Sequence, residues 1–374
     1  MSQNPDKNKY EIGVISDTQD LKGSEQIKRA LEPLRKLEQG GVDLDMIVHI
    51  GDVGGTGIIS KYVREGKGLE VRYDKESQED KLSEEMEDYK KLINSSEYQE
   101  FSKELKIKGV EQDIVIYALW RAKQEKKYQE SLEDMRRWVE DVVKQLGEFK
   151  SEVKHIVGNA DRAIPEKLEA VQTLLKEQNI ETYDKPIHLD LDKKKSLVFW
   201  PSINVNEKDD KQMQELNNTM DEFAEKMKDK ESVLIFAHET PFKGPKKPGV
   251  YQTRVEDAGL PGSERVPYKQ FLPISKYILE LCRRLPAKTK IALTCGHMHA
   301  PREIIGVGTQ YLKFNEEGKA KLRLFGLDKT INKEKYETIP GQKRTVDLYY
   351  LPAGEVGKFE IDDDGNTTYQ KLEQ

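Results

Sequence analysis

The sequence predicts a mixed α/β (α+β) fold interrupted by a long helical insertion, and three features of its pattern carry that expectation. The chain opens as a strand, helix, strand unit, and each of the two strands runs directly into an aspartate. A charged stretch poor in glycine and proline follows. The alternation of strands and helices resumes near residue 150 and gives way to short strands beyond His299. Strands that alternate with helical patterns belong to sheets whose faces are covered by helices.

A length of 374 residues admits one large domain with an insertion, or two domains. With 36% hydrophobic and 35% charged residues, the chain can bury a core and still present long solvated surfaces. The net charge of -6 supplies no electrostatic reason to expect nucleic acid or an acidic membrane as partner. Met1 to Tyr10 is polar, and nowhere do about 18 apolar residues follow one another, so the reading is a cytoplasmic protein without membrane association. Only Cys282 and Cys295 are present, which excludes a disulfide framework; Cys295 reads as a small buried strand residue.

Taken in order, Tyr10 to Ser16 is an apolar strand, Ser24 can cap a helix running through Leu37, and Asp45 to Ile50 is a second buried strand. They end at Asp17 and Asp52. The carboxyl ends of parallel strands border the crevice where α/β proteins bind ligands. Residues 74–149 are expected to form the inserted helical segment, leaving 1–73 and 150–374 as the main domain. Within it Tyr128, Leu132, Met135, Val139, Val142 and Leu146 recur at steps of four and three, the stripe of a helix packed on another helix. A helix from Lys81 to Ile93 could pair with that one as an antiparallel hairpin, with Ser95 and Ser96 as turn or cap residues. Such an insertion could be a solvated arm, a homodimerising surface or a cap over a substrate.

Strands are then expected at Val153 to Val157, Ile187 to Leu191 and Ser196 to Ile203, a helix from Lys211 to Lys228, and a strand from Ser232 to Ala237. A loop rich in Gly, Pro and Lys spans Thr240 to Pro267, followed by a helix from Pro273 to Arg284 and a strand from Lys290 to Thr294. Six short strands close the chain, and Asp364-Gly365 marks a hairpin between the last two.

Five segments share one grammar, an apolar strand that stops at a residue able to bind a metal. They are Ser16-Asp17-Thr18-Gln19, Gly51-Asp52, Gly158-Asn159-Ala160-Asp161, Ala237-His238 and Gly296-His297-Met298-His299. Each alone is weak evidence; together, their order and strand-end placement are specific, because carboxylate, carboxamide and imidazole groups are good donors to divalent cations. His297 and His299 are two apart, which on an extended strand places them on one face.

In these segments the chain resembles the calcineurin-like metallophosphoesterases, whose pattern of DxH, GDxx, GNHD or GNHE, a strand-end His and GHxH reads here as DTQ, GDVG, GNAD, AHE and GHMH. The resemblance runs from Asp17 to His299 and excludes the helical insertion. It implies a calcineurin-like two-sheet β-sandwich flanked by helices, and two divalent metal ions about 3.5 to 4 Å apart. Asp17, Gln19, Asp52 and His299 would hold one ion, and Asp52, Asn159, His238 and His297 the other, with Asp52 bridging. A water between two such cations is deprotonated near neutral pH and attacks the phosphorus in line, so no nucleophilic side chain is needed; Asp52, Asn159 and His238 are the expected catalytic group.

Two departures from the family pattern shape the expectation. Gln19 stands where the family has His, and a carboxamide oxygen is a harder, weaker donor, which favours Mn, with Mg, Fe or Zn as alternatives. Ala160 stands where many members carry the His that protonates the leaving group. Loss of such an acid costs about 10² to 10⁴ in rate, least for substrates with good leaving groups. Arg162, Lys243 and Arg254, with Lys246 and Lys247, could contact an anionic substrate. His49, His155 and His188 read as structural, with His155 a candidate support for the site. The expected function is hydrolysis of phosphomono- or phosphodiester bonds in a nucleotide-like small molecule. A non-catalytic scaffold using the helical arm for protein contacts, and a nuclease, are the alternatives.

Overall fold

A computed structural model describes residues 7, 9–18, 21, 23–54, 59–77, 82–107, 110, 113–162, 164–203, 210–238, 273–296, 306–307, 310–311, 319–324 and 344–373. Its frame is a pair of mixed six-stranded sheets flanked by helices. In the first sheet β1 (Tyr10–Ser16), β2 (Met46–Ile50), β3 (Val153–Ile156) and β4 (Glu181–Tyr183) run parallel. The hairpin of β13 (Val356–Ile361) and β14 (Thr367–Lys371) joins β1 antiparallel. In the second, β6 (Lys195–Trp200), β7 (Ser232–Ala237), β8 (Lys290–Cys295) and β12 (Arg344–Tyr350) are parallel, with β5 (Ile187–Asp190) and β11 (Lys319–Leu324) as antiparallel edges. A further pair, β9 (Gly306–Val307) with β10 (Gln310–Tyr311), is antiparallel.

The side-chain period of two along a strand divides the core into layers. Ile12, Val14, Met46, Val48, Ile50 and Ile156 of the first sheet pack with Leu197, Phe199, Leu234, Phe236 and Tyr349 of the second, so the two sheets share one apolar interior. The alternate residues Ile15 and Ile47 turn the other way, onto α1 (Ser24–Gln39), α6 (Tyr128–Leu146) and α7 (Pro165–Glu177). On the far side, Val198, Val233, Ile235 and Leu293 pack against α8 (Asp210–Lys226) and α9 (Pro273–Arg284). Both of the strand-end aspartates therefore sit where parallel strands of a buried sheet stop.

The helices between β2 and β3 depart from the expected boundaries. The helical segment begins at α2 (Ile59–Glu76) rather than at residue 74, and continues through α3 (Glu84–Ile93), α4 (Ser96–Ile107), α5 (Asp113–Gln124) and α6. Its own core gathers Tyr62, Tyr98, Phe101, Ile116, Leu119 and Trp120. The six-residue stripe on α6 serves two layers: Tyr128, Leu132 and Met135 face that helical core, while Val139, Val142 and Leu146 cover the first sheet. A stripe at helical spacing states that a face is buried but not against what, which is why a hairpin with the 81–93 helix was expected; α3 packs instead on α2 and α4. Ser95 does act as a cap, accepting the Tyr98 amide at 3.3 Å. Ser24 does not: Gly23, at φ 81, holds the N-cap position of α1 without a side-chain bond. No helix among the described residues is long and apolar enough to cross a membrane.

Candidate metal centre

The strand-end segments converge. Asp17 and Asp52 follow β1 and β2 and are fully buried, as is His238 beyond β7 of the other sheet. The Thr18 amide donates to the Asp52 carbonyl at 3.2 Å, and the Gly296 amide to the His238 carbonyl at 3.2 Å. The Ser16 hydroxyl crosses between sheets to the Leu351 carbonyl at 3.1 Å. The motif glycines show how tight this meeting is. A Cβ on Gly158 would lie 2.1 Å from Asp52 Oδ1, one on Gly51 would lie 2.3 Å from His238 Nδ1, and one on Gly296 would touch Ser16 Oγ at 3.1 Å. Gly158 and Gly51 are thus required by residues from other segments, and Gly296 is closely approached by one.

His238 fixes the chemistry of the centre. Its Nδ1 lies 2.9 Å from the Ile50 carbonyl, a pure acceptor, so the ring carries its hydrogen there. In the neutral ring Nε2 is then a lone pair, and it faces Asn159 Oδ1 at 2.8 Å and Asp52 Oδ2 at 3.4 Å. Asp52 Oδ2 is buried and, among the described residues, accepts no hydrogen bond. Positive charge would draw these three groups together, supplied by a second proton on the ring, which Nε2 would donate to Asn159 Oδ1, or by a cation. Burial pushes the Asp52 carboxyl up, but the charge and hydrogen bonding of a protonated His238 outweigh it and hold Asp52 below the usual carboxylate range. The donor set fits a divalent metal.

Beneath this point the Asp52 loop is clamped. Asp52 has φ 58 and is flanked by Gly51 at φ 80, with Gly54 at φ 61; a non-glycine residue held there costs about 1–3 kcal/mol and persists only where its surroundings impose it. Asp161 imposes it. Its carboxylate accepts the amides of Asp52 at 3.0 Å, Val53 at 2.8 Å and Gly158 at 2.9 Å. The Ala160 amide closes the other side, donating to Asp52 Oδ1 at 2.7 Å. Lys167, fully buried on α7, lies 3.7 Å from Asp161 and donates to the Gly54 carbonyl at 3.0 Å. Burial raises the Asp161 pKa, yet His155, the Lys167 charge and the Gly158 amide together hold it far below the ordinary carboxylate range.

Of the residues expected from the sequence, Asp52, Asn159 and His238 meet here, and Asp17 is buried next to Thr18, whose amide bonds the Asp52 carbonyl. Gln19, His297, His299, Lys243 and Arg254 lie outside the described residues. Among the described residues, no group of three or more His, Cys, Asp or Glu side chains is placed to hold a metal by itself; Asn159 supplies a carboxamide, and the paired histidines follow Gly296. Arg162, expected to reach a phosphate, is engaged elsewhere: its Nη2 donates to the Asp184 carbonyl, just past the end of β4, because burial rewards pairing the guanidinium nearby. Cys295 is the buried last residue of β8, as its sequence suggested. Asp161 as a clamp and Lys167 as its counter-charge were not foreseen, since a lysine in the first turn of a helix has no motif to mark it.

No protein-family model matches the chain, and no curated protein sequence does. Among solved structures, one crystal structure aligns with 98% of this chain and 100% of its own at 8% identity and a TM-score of 0.43. Another, described as GAP50, the anchor in the inner membrane complex of Plasmodium, aligns over 98% of this chain and 90% of its own at 10% identity and a TM-score of 0.41. Likenesses of that size carry neither fold nor function.

Proposed function

We propose that this chain is a metal-dependent phosphoesterase of the calcineurin-like type, hydrolysing phosphomono- or phosphodiester bonds in a nucleotide-like small molecule. The observation that supports it is the convergence of Asp52 Oδ2, Asn159 Oδ1 and His238 Nε2, from both sheets, on one point. Two facing mixed sheets with helices outside are also what the family's sandwich requires.

In this reading Asp17, Gln19, Asp52 and His299 would hold one divalent ion, and Asp52, Asn159, His238 and His297 would hold the other, with manganese favoured by the carboxamide at Gln19. The pair of ions, when bound, supplies an activated water and neutralises charge on the phosphoryl oxygens. Asp52 is suited to bridging, since Ala160 holds one oxygen and leaves the other facing His238. His238 is oriented by the Ile50 carbonyl so that Nε2 faces inward. Ala160 and Asn159 are only half buried, so the centre opens on their side. With a methyl group at 160 no acid is offered there to a departing alkoxide, which favours diphosphates or aryl esters.

The test is turnover of a p-nitrophenyl phosphoester by the purified chain with Mn²⁺. Asp52→Asn is expected to abolish it while leaving the circular dichroism of the protein unchanged; equal turnover by the variant would overturn the assignment. The separate core of the helical segment favours one second reading, a non-catalytic scaffold that makes protein contacts through those helices. Fewer than one tightly held ion per chain, with no turnover on added Mn²⁺, would select it.

A further inference from the structure

His49 and His155 occupy matched positions on neighbouring parallel strands, β2 and β3, and are fully buried. Their Nδ1 atoms lie 3.0 Å apart, His49 Nε2 lies 3.1 Å from Thr18 Oγ1, and His155 Nε2 lies 3.3 Å from Asp161 Oδ2. With both rings neutral, the hydrogens can run in one direction along this line. An ionised carboxylate only accepts, so the His155 hydrogen belongs on Nε2, which faces Asp161 Oδ2 at contact distance without hydrogen-bond geometry, and Nδ1 accepts; His49 then donates from Nδ1 and accepts at Nε2, and the Thr18 hydroxyl donates to His49. The same hydroxyl also lies 3.3 Å from the Asp52 carbonyl, which accepts the Thr18 amide as well.

The line connects the three loops that carry the expected ligands of the first sheet. Thr18 lies beside Asp17, Asp161 holds the amides of Asp52 and Val53, and Asp161 also holds Gly158 next to Asn159. Apolar residues at 49 and 155 would fill the same space, as Ile15 and Ile47 do nearby, but would leave the Thr18 hydroxyl without this partner and Asp161 without its imidazole. Packing alone therefore does not account for two histidines here.

We propose that His49 and His155 are positioning residues, which with Thr18 and Asp161 form a line of buried polar contacts that fixes the Asp17, Asp52 and Asn159 loops relative to one another and so sets the affinity of the centre for divalent metal. This rests on the two-metal reading. Neither histidine is among the expected ligands.

The measurement is Mn²⁺ binding to the full chain by isothermal titration calorimetry, well below the melting temperature, for the wild type, His155→Leu and His155→Gln. Removal of such supporting bonds weakens metal binding by about 10- to 100-fold. His155→Leu is expected to show a loss in that range, and His155→Gln, whose amide can donate to Asp161 and accept from His49, to recover most of it. A purely structural histidine would lower the melting temperature of both variants without this graded change in Kd. Thr18→Val breaks the line at its other end, is expected to weaken binding likewise, and serves if His155→Leu does not fold. Wild-type affinity in a folded His155→Leu or Thr18→Val variant would overturn the inference alone. A wild-type protein that binds no Mn²⁺ would overturn the two-metal reading and the inference with it.

Discussion

Replacing Asp161 with Asn isolates the clamp under the candidate centre. In the carboxylate, Oδ2 serves the Asp52 and Gly158 amides, while Oδ1 serves the Val53 amide and faces Lys167. An asparagine does least harm by keeping its oxygen at the Oδ2 position. Its NH₂ group then faces the Val53 N–H and the Lys167 ammonium, donors against donors. A lost hydrogen bond to a charged group costs about 1.5–3 kcal/mol, and stranding one member of a buried ion pair costs about 3–5 kcal/mol. These overlap in one pocket, so about 5 kcal/mol is expected in total. Unfolding entropy of about 2.1 cal/mol/K per residue, over 374 residues, converts that to a drop of about 6 °C in Tm for unfolding as one unit. Differential scanning calorimetry in EDTA keeps metal binding out of the comparison. Lys167→Met in the Asp161→Asn background removes the stranded cation and should restore part of the loss. A single-variant Tm within about 1 °C of wild type, or a double variant that melts lower still by the full effect of Lys167→Met alone, would refute the clamp.

Two further outcomes follow from the same geometry. Burial, then the neighbouring His155, pushes His49 down to about 3 from an ordinary 6.5. Above pH 6.5 neither folded nor unfolded His49 binds a proton, whereas between 6.5 and 3 only the unfolded chain does, so stability is lost on acidification by about 1.4 kcal/mol per pH unit. Urea unfolding should show about 2 kcal/mol of this loss between pH 7 and 5, absent in His49→Gln; equal acid sensitivity in the variant would contradict it. Gly158→Ala should lower the melting temperature and abolish tight Mn²⁺ binding, since its Cβ would overlap the Asp52 carboxylate. Gly68→Ala, on an exposed face of α2 with open space around it, should instead stabilise by up to about 1 kcal/mol in denaturant titration; equal effects of the two would count against the close approach at Gly158.

Much of the frame was legible in the sequence because strands and helices announce themselves by local period. β1, β7 and α9 have the bounds read from the sequence, and the Asp364-Gly365 turn joins β13 to β14 as its composition required. The short β4 and the helix α7 were not foreseen. Three residues carry too little periodicity to read as a strand, and α7 lies behind a motif that drew attention to its first residues. The division of the α6 stripe between two cores was equally hidden, since the apolar spacing is the same whichever partner it meets.

The sequence by itself determined that chemistry-bearing residues stand at strand ends, because an apolar run broken by Asp, Asn or His is a one-dimensional fact. Only the tertiary structure decided which of them share a space. The return of β13 beside β1, and the packing of the two sheets through Phe199, Phe236 and Phe359, bring His238 against Asp52 and Asn159 from 79 or more residues away. The line from Thr18 to Asp161 depends on strand register, in which a shift of one residue would turn both histidines into the apolar interior between the sheets. Register and sheet packing are set by the whole core, so no local pattern around His49, His155 or Lys167 could have disclosed their partners.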